Sequence, residues 1–234
     1  MFYKLSNIAS IDSIESAFGA TFRFPNLHTR DVLIDGLNEE IVPIIRANTQ
    51  HQIDYGVWGL LPTDYKEDWD VFQKVTNTLN FDVDKIKSEP WLNDALKNRR
   101  CVVLITGFFS SYEYDGKVYP VYIHADPLKP IAAAGIYNIT DDGFYSFSLV
   151  MVKSEGYVKN LHNVSETLPI IMDETNFDMW FDETDYQIIL NKPSVGIENI
   201  KFDAHTIAKE FYKHNIVFDG SLEPAAYREL LKNT

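Results

Sequence analysis

The single cysteine of the chain, Cys101, lies in a stretch whose residue types could carry chemistry. The stretch reads RRCVVLITGFFSSYEYDGKVYP and runs from Arg99 to Pro120, through a basic pair and an apolar run into Gly-Phe-Phe and two serines. It marks either an active site or a strand that turns a corner in the core. Free cysteines in apolar strands are usually buried thiols, and we interpret Cys101 in that way.

Other patterns associated with catalysis or metal binding are weak in this sequence. The six histidines form no HxH or HExxH pattern, and His205 and His214 fall where we predict a C-terminal helix. The acid-rich segment 173–185 lacks the glycine-centred ligand spacing of an EF-hand loop, so we interpret it as a solvated helical face. No glycine-rich phosphate-binding loop occurs. We therefore predict neither a metal site nor a cofactor.

The composition is that of one globular domain with a strongly acidic charge balance. The 234 residues are 45% hydrophobic and 24% charged, which suits a chain that buries a sizeable core. The sequence lacks a membrane-length apolar run and the pattern of a signal peptide, and a single cysteine excludes an internal disulfide. These features predict a cytoplasmic protein without a membrane partner. The 34 acidic and 21 basic residues give a formal net charge of −13, which counts against nucleic-acid binding because phosphates favour a basic face.

Strand-like runs in the middle and helical segments at the ends predict an α+β fold. We expect an early helix over 10–18, capped by Ser10 and stopped by Gly19. Further helices are expected at 85–98, 177–182, 204–214 with Asp203 as cap, and 223–232. Turn residues separate strand-like runs at 41–46, 55–61, 101–106, 118–124, 131–137 and 144–152.

We expect the last four of these runs to be adjacent antiparallel strands. The prediction is a single domain over residues 1–234, built on a strongly curved, barrel-like antiparallel sheet with flanking helices. A helical C-terminal extension is expected from about residue 176.

Five segments, in order, resemble one protein family. Trp58–Pro62 (WGLLP) resembles its WGLIP segment, and 77–84 (NTLNFDVD) aligns without a gap on TLNAR-x-E. The stretch from Arg99 to Phe109 resembles RRCL…GFYEW, 134–137 (AGIY) resembles AGLY or AGLW, and 147–172 aligns on FTILTT…IHN…RMPVIL. The family is SRAP, the SOS-response-associated peptidase-like or abasic-site-processing proteins.

The resemblance implies a single-domain mixed fold around a curved antiparallel sheet, with a groove for single-stranded DNA. It also implies the chemistry of the family, in which a cysteine at position 2 becomes N-terminal and captures the aldehyde of an abasic site as a thiazolidine. In that pattern an asparagine, a glutamate and a histidine surround the ring. A tryptophan and an arginine contact DNA, and a pair of threonines lines the site.

The covalent groups of this pattern are missing from the present chain. Phe2 stands at the cysteine position, has no thiol, and as a bulky second residue should also retain Met1. Ser110 stands at the glutamate position, and a hydroxyl cannot act as a carboxylate base at neutral pH. Glu113, three residues on, should lie on the opposite face of a strand from Ser110. Asp82 replaces the DNA-binding arginine and reverses its charge.

Three positions keep the residues of the family. The resemblance makes Asn80 and His162 retained catalytic positions, and it makes Trp58, Asn80 and His162 the DNA contacts. Met151 and Val152 replace the threonine pair, and we expect the ring of Phe2 to fill the vacated site beside them.

The sequence therefore supports two hypotheses. The first is an SRAP protein related to abasic-site processing and single-stranded DNA binding in the DNA damage response, without thiazolidine or peptidase activity. The alternative is a non-enzymatic binding module whose former DNA groove takes a protein, a peptide or a small ligand. The net charge of −13 and Asp82 favour the alternative, whereas Trp58, Asn80 and His162 in family register favour the first.

Overall fold

Fourteen strands and six α-helices make up the computed structural model, which describes residues 2–153 and 163–230. The strands are β1 (Lys4–Asn7), β2 (Thr21–Phe22), β3 (Asp31–Asp35), β4 (Ile41–Arg46), β5 (Gln52–Trp58), β6 (Asn80–Asp82), β7 (Arg100–Ile105), β8 (Gly107–Tyr114), β9 (Lys117–Ala125), β10 (Ile131–Ile139), β11 (Tyr145–Lys153), β12 (Thr167–Pro169), β13 (Ile171–Met172) and β14 (Phe202–Thr206). The helices are α1 (Ile11–Phe18), α2 (Trp69–Val75), α3 (Val83–Ser88), α4 (Pro90–Asn98), α5 (Asp185–Asn191) and α6 (Lys209–His214). Short 3-10 segments occur at Pro25–Leu27, Phe177–Trp180 and Pro193–Ile197.

Five strands close into a ring at the centre of the protein. Their order is β11, β10, β7, β4 and β5, with antiparallel neighbours, and β5 then pairs in parallel with β11. The closing pair sets Trp58 opposite Phe147. This pairing of β5 with β11 closes the ring, so neither of these two strands has a free edge at the point of closure. The predicted α+β fold around a strongly curved sheet is confirmed, although the sheet is not antiparallel throughout.

A second sheet packs against the ring, with its strands in the order β14, β9, β8, β1 and β3. The chain passes from the ring to this sheet at Thr106, whose amide donates to the Ser6 carbonyl at 2.8 Å. Apolar side chains from both sheets fill the space between them, among them Leu5, Val103 and Phe108. This inner layer of the core lies directly behind the N-terminal strand.

Alternation along the ring strands separates the inner layer from an outer one. Val103 and Ile105 of β7 belong to the inner layer, whereas Val102 and Leu104 belong to the outer layer. Helices α1, α3, α4 and α5 cover the outer layer, and α6 packs Phe211 on the far face of the second sheet. None of the described helices has the length and hydrophobicity needed to cross a membrane.

The first helix and the predicted helix over 85–98 show how local sequence decides helix ends. The Ser10 side chain accepts a hydrogen bond from the Ser13 amide, and Gly19 ends α1 with a φ of 60°. The segment 85–98 forms two helices, α3 and α4, with Pro90 at the start of the second. Proline lacks an amide donor and disfavours a helical residue before it, so the first helix stops there.

Two of the predicted strands belong to different sheets. The runs at 101–106 and 118–124 correspond to β7 and β9 and are not neighbours. Strand β7 belongs to the ring, whereas β9 pairs with β8 in the second sheet. The run predicted over 55–61 is strand only as far as Trp58.

The C-terminal part is less helical than predicted. The segment 204–214 begins as β14, which pairs with β9 at the edge of the second sheet, and α6 follows it. Phe202 and Ala204 pack on the inner layer and alternate with Asp203 and His205, which is the period of a strand. Pairing with a free sheet edge therefore outweighs helical propensity here. Residues 223–229 form no helix.

A buried ion pair on the ring provides a test of what holds β4 and β5 together. The Asp54 carboxylate accepts hydrogen bonds from Arg46 Nε at 3.2 Å and Nη2 at 2.6 Å, and its side chain is 2% exposed. Arg46→Met leaves this carboxylate buried without its main partner. We expect the free energy of unfolding in urea to fall by about 3 kcal/mol, the lower end for a broken buried pair, since Arg23 lies 3.6 Å from the other oxygen.

The matched control is Lys74→Met, which breaks the exposed pair with Asp70 on α2. This change should leave the urea midpoint nearly unchanged. Equal losses in both variants would contradict a special role for the buried pair.

Candidate functional site

The N-terminal segment is fixed to the second sheet by strand pairing and by a buried polar cluster. Strand β1 pairs with β8, with Leu5 opposite Phe108, so the residues before β1 run alongside the middle of β8. Lys4, only 3% exposed, places Nζ 3.1 Å from the Asp35 carboxylate and also donates to the Asn215 side chain. Asn215 donates in turn to Asp35 at 2.7 Å. Three distant parts of the chain thus hold the N-terminal segment in place.

Phe2 is half-buried at the start of this segment. Its ring packs on Phe108, with centroids 5.7 Å apart and planes at 57°. It contacts the inner core layer, which includes Met151, whereas Val152 packs in the outer layer. The Phe2 ring therefore packs against Phe108 and the inner layer, whereas Val152 belongs to the other layer.

Asn80 opens β6 and reaches the backbone of Phe2. Its side-chain Nδ2 donates a hydrogen bond to the Phe2 carbonyl oxygen. The preceding residue fixes its position, because the Leu79 carbonyl accepts from Trp58 Nε1 at 2.8 Å and from the Leu149 amide at 3.0 Å. The structure therefore brings two of the predicted site residues, Phe2 and Asn80, into direct contact.

Ser110 lies on the same face of β8 as Phe108, since alternate residues of a strand share a face. Ser110 is 8% exposed, whereas Glu113 is exposed on the opposite face, as expected. The Glu113 carboxylate accepts from the Gly116 amide at 3.0 Å in the turn that follows. The carboxylate of β8 thus points away from the face that carries Phe108 and Ser110.

Trp58 supports the site from within the core. Its side chain is 0% exposed and stacks on Phe147 with centroids 6.4 Å apart and planes at 3°. A Cβ at Gly36 would lie 2.7 Å from the indole ring, so the turn after β3 packs directly against it. Without an exposed ring face, the Trp58 side chain cannot stack on a base in this structure. Trp58 is thus a core residue here, and the contact with DNA that we predicted for it stays a prediction.

Cys101 is a core residue, as interpreted from its strand. It is fully buried in β7 as a free thiol, and burial raises the pKa of that thiol. Because the thiolate is the reactive form, Cys101 is not a nucleophile at neutral pH.

His162 lies outside the described residues. The next residue, Asn163, forms a pair of hydrogen bonds with the backbone of Glu113: its Oδ1 accepts from the amide at 2.7 Å and its Nδ2 donates to the carbonyl at 2.9 Å. The side-chain amide therefore docks on β8 as a neighbouring strand would. We did not single out Asn163 from the sequence, although it belongs to the same Leu-His-Asn segment as His162.

A protein family, a curated protein and several solved structures are similar to this chain. The family model of the SOS response associated peptidases (SRAP) matches residues 12–211. The chain belongs to the SRAP family. An abasic site processing protein of Saccharomyces cerevisiae is 26% identical over 170 residues, which are 68% of this chain and 44% of that protein. The chain thus spans less than half the length of this curated relative.

Solved structures share the SRAP fold. A protein from Bacteroides thetaiotaomicron matches with a TM-score of 0.78 at 20% identity, over 96% of this chain and 100% of that one. A protein from Bordetella bronchiseptica matches with a TM-score of 0.65 at 12% identity, over 88% and 99% of the two chains. A phage-related protein from the same organism matches with a TM-score of 0.62 at 15% identity, over 88% and 94%.

Two clefts lie at the two ends of β11. The charges that line one of them balance, and those that line the other are mostly acidic. A cleft of about 570 Å³ beside β6 is lined by three acids and three lysines, namely Asp82, Asp84, Glu166, Lys85, Lys87 and Lys153. A cleft of about 760 Å³ at the start of β11 is lined by six acids and one lysine, namely Glu39, Glu67, Asp68, Asp70, Asp141, Asp142 and Lys66. Neither cleft has the net positive charge that favours a phosphate backbone.

A further group of polar side chains comes together on the second sheet. His124 of β9 meets Asp203 and His205 of β14, with ligand atoms all within 4.8 Å of one another. The sequence analysis placed His205 on a helix, and the pairing of β9 with β14 joins residues far apart in the sequence. An alternating Asp-Ala-His on an edge strand was the signal that could have revealed this group.

The contact between Asn80 and Phe2 provides a test of the site. Asn80→Ala removes the donor to the Phe2 carbonyl, so we expect the N-terminal segment to open more easily. Hydrogen–deuterium exchange should show faster exchange in the peptide that covers β1, with a loss of about 1 kcal/mol in the free energy of unfolding. Asn98→Ala, which removes an exposed amide bonded to Asp94 on α4, is the control and should leave β1 unchanged. Unchanged exchange in Asn80→Ala would show that strand pairing alone fixes the segment.

Proposed function

We propose that this SRAP protein binds single-stranded or abasic DNA in the DNA damage response, without thiazolidine formation and without peptidase activity. The observation that carries the proposal is the contact between Phe2 and Asn80. At the position of the family's cysteine, the chain presents a backbone carbonyl to Asn80 and a phenyl ring to Phe108. The family pattern requires a thiol and an amine at that position.

The missing groups are the ones that the covalent step needs. In a thiazolidine, a thiol and an amine of one residue both add to the aldehyde carbon, and water leaves. Cys101 cannot replace them, because its thiol is buried and its nitrogen is part of a peptide bond within β7. Ser110 offers a hydroxyl where the pattern has a carboxylate, so it cannot act as a base at neutral pH and stabilises a protonated amine less than a carboxylate would. The step therefore lacks its nucleophile and its base.

Several features support non-covalent DNA binding. Asn80 keeps the family's residue at the site, and the yeast relative is named for abasic-site processing. Lys85, Lys87 and Lys153 lie around the neutral cleft next to it and can pair with phosphates. Asp82 lies in the same cleft and opposes them. We expect weak binding that rests on about three phosphate contacts.

The second candidate function is a binding module for a cationic, partly apolar ligand such as a basic peptide. The acidic cleft at the start of β11 favours it, because apolar side chains that include Ile41, Leu61 and Phe144 line the cleft together with the acids. A net charge of −13 would attract such a ligand and repel a phosphate backbone.

Covalent capture is tested with single-stranded DNA that carries one abasic site. After incubation and a denaturing gel, we expect no crosslinked species from the natural sequence. Phe2→Cys combined with Ser110→Glu supplies a thiol and a carboxylate next to Asn80, and the small second residue allows Met1 to be removed. This double variant should form a stoichiometric crosslink that survives heating.

The matched control is Phe2→Ser combined with Ser110→Glu, which exposes the same amine and carboxylate but no thiol. It should form no heat-stable product, because its amine can form only an imine with the aldehyde, and water hydrolyses that imine back to the amine and the aldehyde. A stable crosslink from the natural sequence would overturn the proposed loss of covalent chemistry.

The two candidate functions differ in their response to salt and to ligand charge. Single-stranded DNA should bind with a slope of log K against log salt of about −2, from about three contacts. Replacing Lys85, Lys87 and Lys153 with glutamine should remove most of this slope. In fluorescence anisotropy, tighter binding of a basic peptide than of DNA, lost on Asp141→Asn with Asp142→Asn, would favour the binding module instead.

A further inference from the structure

Two edge strands of the second sheet bring two histidines and an aspartate together. Asp203 of β14 lies directly opposite His124 of β9, and His205 follows Asp203 on the same face. The Asp203 Oδ2 atom lies 3.5 Å from His124 Nε2 and 3.2 Å from His205 Nδ1. The two imidazoles are 15% and 17% exposed and the carboxylate is 54% exposed, so solvent reaches the cluster from one side.

Hydrogen bonds fix the tautomer of each imidazole. His124 Nδ1 lies 2.8 Å from the Ala125 carbonyl, and His205 Nε2 lies 2.8 Å from the Leu222 carbonyl. A carbonyl only accepts, so each of these nitrogens must carry the proton. In the neutral rings, the lone pairs are then on His124 Nε2 and His205 Nδ1, the two atoms that face Asp203.

Three electron-pair donors therefore come within 4.8 Å of one another, an arrangement that a cation between them stabilises. A proton on one imidazole satisfies one of the two contacts with Asp203 and leaves the other repulsive. The nearby cation Lys201 is used elsewhere, since its Nζ lies 2.7 Å from Asp126. A metal ion accepts all three lone pairs at once.

We propose that His124, Asp203 and His205 form a site for a divalent transition-metal ion, with Zn²⁺ as the expected occupant. Two imidazoles and a carboxylate are a zinc-type ligand set, whereas Mg²⁺ and Ca²⁺ prefer oxygen ligands alone. Bonds of about 2.0–2.1 Å in a tetrahedron put neighbouring ligand atoms about 3.3 Å apart. The two separations from the Asp203 oxygen, 3.2 and 3.5 Å, match this spacing, and all three ligand atoms lie within 4.8 Å of one another.

The supporting contacts fit a metal site as well. In such sites a ligating imidazole donates its other N–H to a carbonyl or carboxylate, which orients the ring and raises its basicity. The Ala125 and Leu222 carbonyls do this here. The open side next to Asp203 leaves a fourth position for water. Because His205 also holds the Leu222 carbonyl, the ion would fasten β14 and the segment that follows α6 to β9.

This site is separate from the one that holds Phe2. Val121 and Ile123 of β9 face the inner core layer, together with Phe108, whereas Tyr122 faces the other side of the sheet. His124 alternates with Ile123 and so lies on the side of Tyr122, whose ring centroid is 5.0 Å from its own. Metal binding can therefore be tested independently of DNA binding.

The test uses the full chain, stripped with a chelator and titrated with Zn²⁺ alone by calorimetry. We expect one ion per chain and a rise in melting temperature with Zn²⁺ concentration, since the ion binds the folded state. Co²⁺ in the same site should give the visible absorption of a tetrahedral complex.

Asp203→Asn and His205→Gln should each weaken Zn²⁺ binding at least about tenfold. Circular dichroism of both variants without metal checks that they fold. His51→Ala, an exposed histidine on a turn far from the cluster, is the matched control and should leave binding unchanged. The proposal is overturned if the natural sequence takes up no stoichiometric Zn²⁺. The cluster would then be only an ion pair between the Asp203 carboxylate and a protonated histidine. Equal uptake by the folded variants would overturn it too.

Discussion

The closing seam of the ring, where β5 meets β11, is the constraint on which the rest of the fold depends. Trp58 and Phe147 stack across this seam, and the indole N–H is held by the Leu79 carbonyl. The same carbonyl accepts a hydrogen bond from the Leu149 amide of β11. The Leu79 carbonyl thus holds the start of β6 against both Trp58 and β11. Gly36 and Gly56 have no room for a Cβ because it would meet the rings of Trp58 and Phe147. One aromatic pair thus determines how closely four segments approach.

The candidate site inherits its geometry from this seam. Asn80 follows Leu79, so its position comes from the buried indole and does not depend on its own contacts alone. Phe108 comes from the second sheet, and Phe2 links it to Asn80 because it contacts both residues. A framework built from apolar packing can therefore persist after the polar groups within it change. The serine at position 110 and the phenylalanine at position 2 lie outside the five ring strands, so both positions can change without altering the hydrogen bonds of the ring.

Much of this framework could be predicted from the sequence, because local signals specified it. Ser10 and Gly19 defined α1, and the β-rich runs after residue 100 defined the ring strands β7, β10 and β11. The sequence of segment 204–214 is compatible with both helix and strand, and we predicted a helix. Its first part forms a strand because it pairs with the free edge of β9. The pairing of strands that are distant in the sequence could not be predicted from local patterns. The group of His124, Asp203 and His205 is therefore visible only in the structure. The resemblance to the family located Asn80 and Ser110, but it could not show that the Trp58 ring is sealed inside the core.

The buried cluster of Lys4, Asp35 and Asn215 has a consequence for the order in which the chain assembles. Lys4 and Asn215 are 211 positions apart, and β1 finds its partner β8 only after more than a hundred residues. During synthesis, the N-terminal strand can pair with β3 early, but the buried ammonium of Lys4 gains its amide partner only after Asn215 has been made. Closing such long loops is slow, because their entropy is lost before the contacts form. The strand that carries Lys4 is therefore made long before its last buried partner, and its final contacts form late.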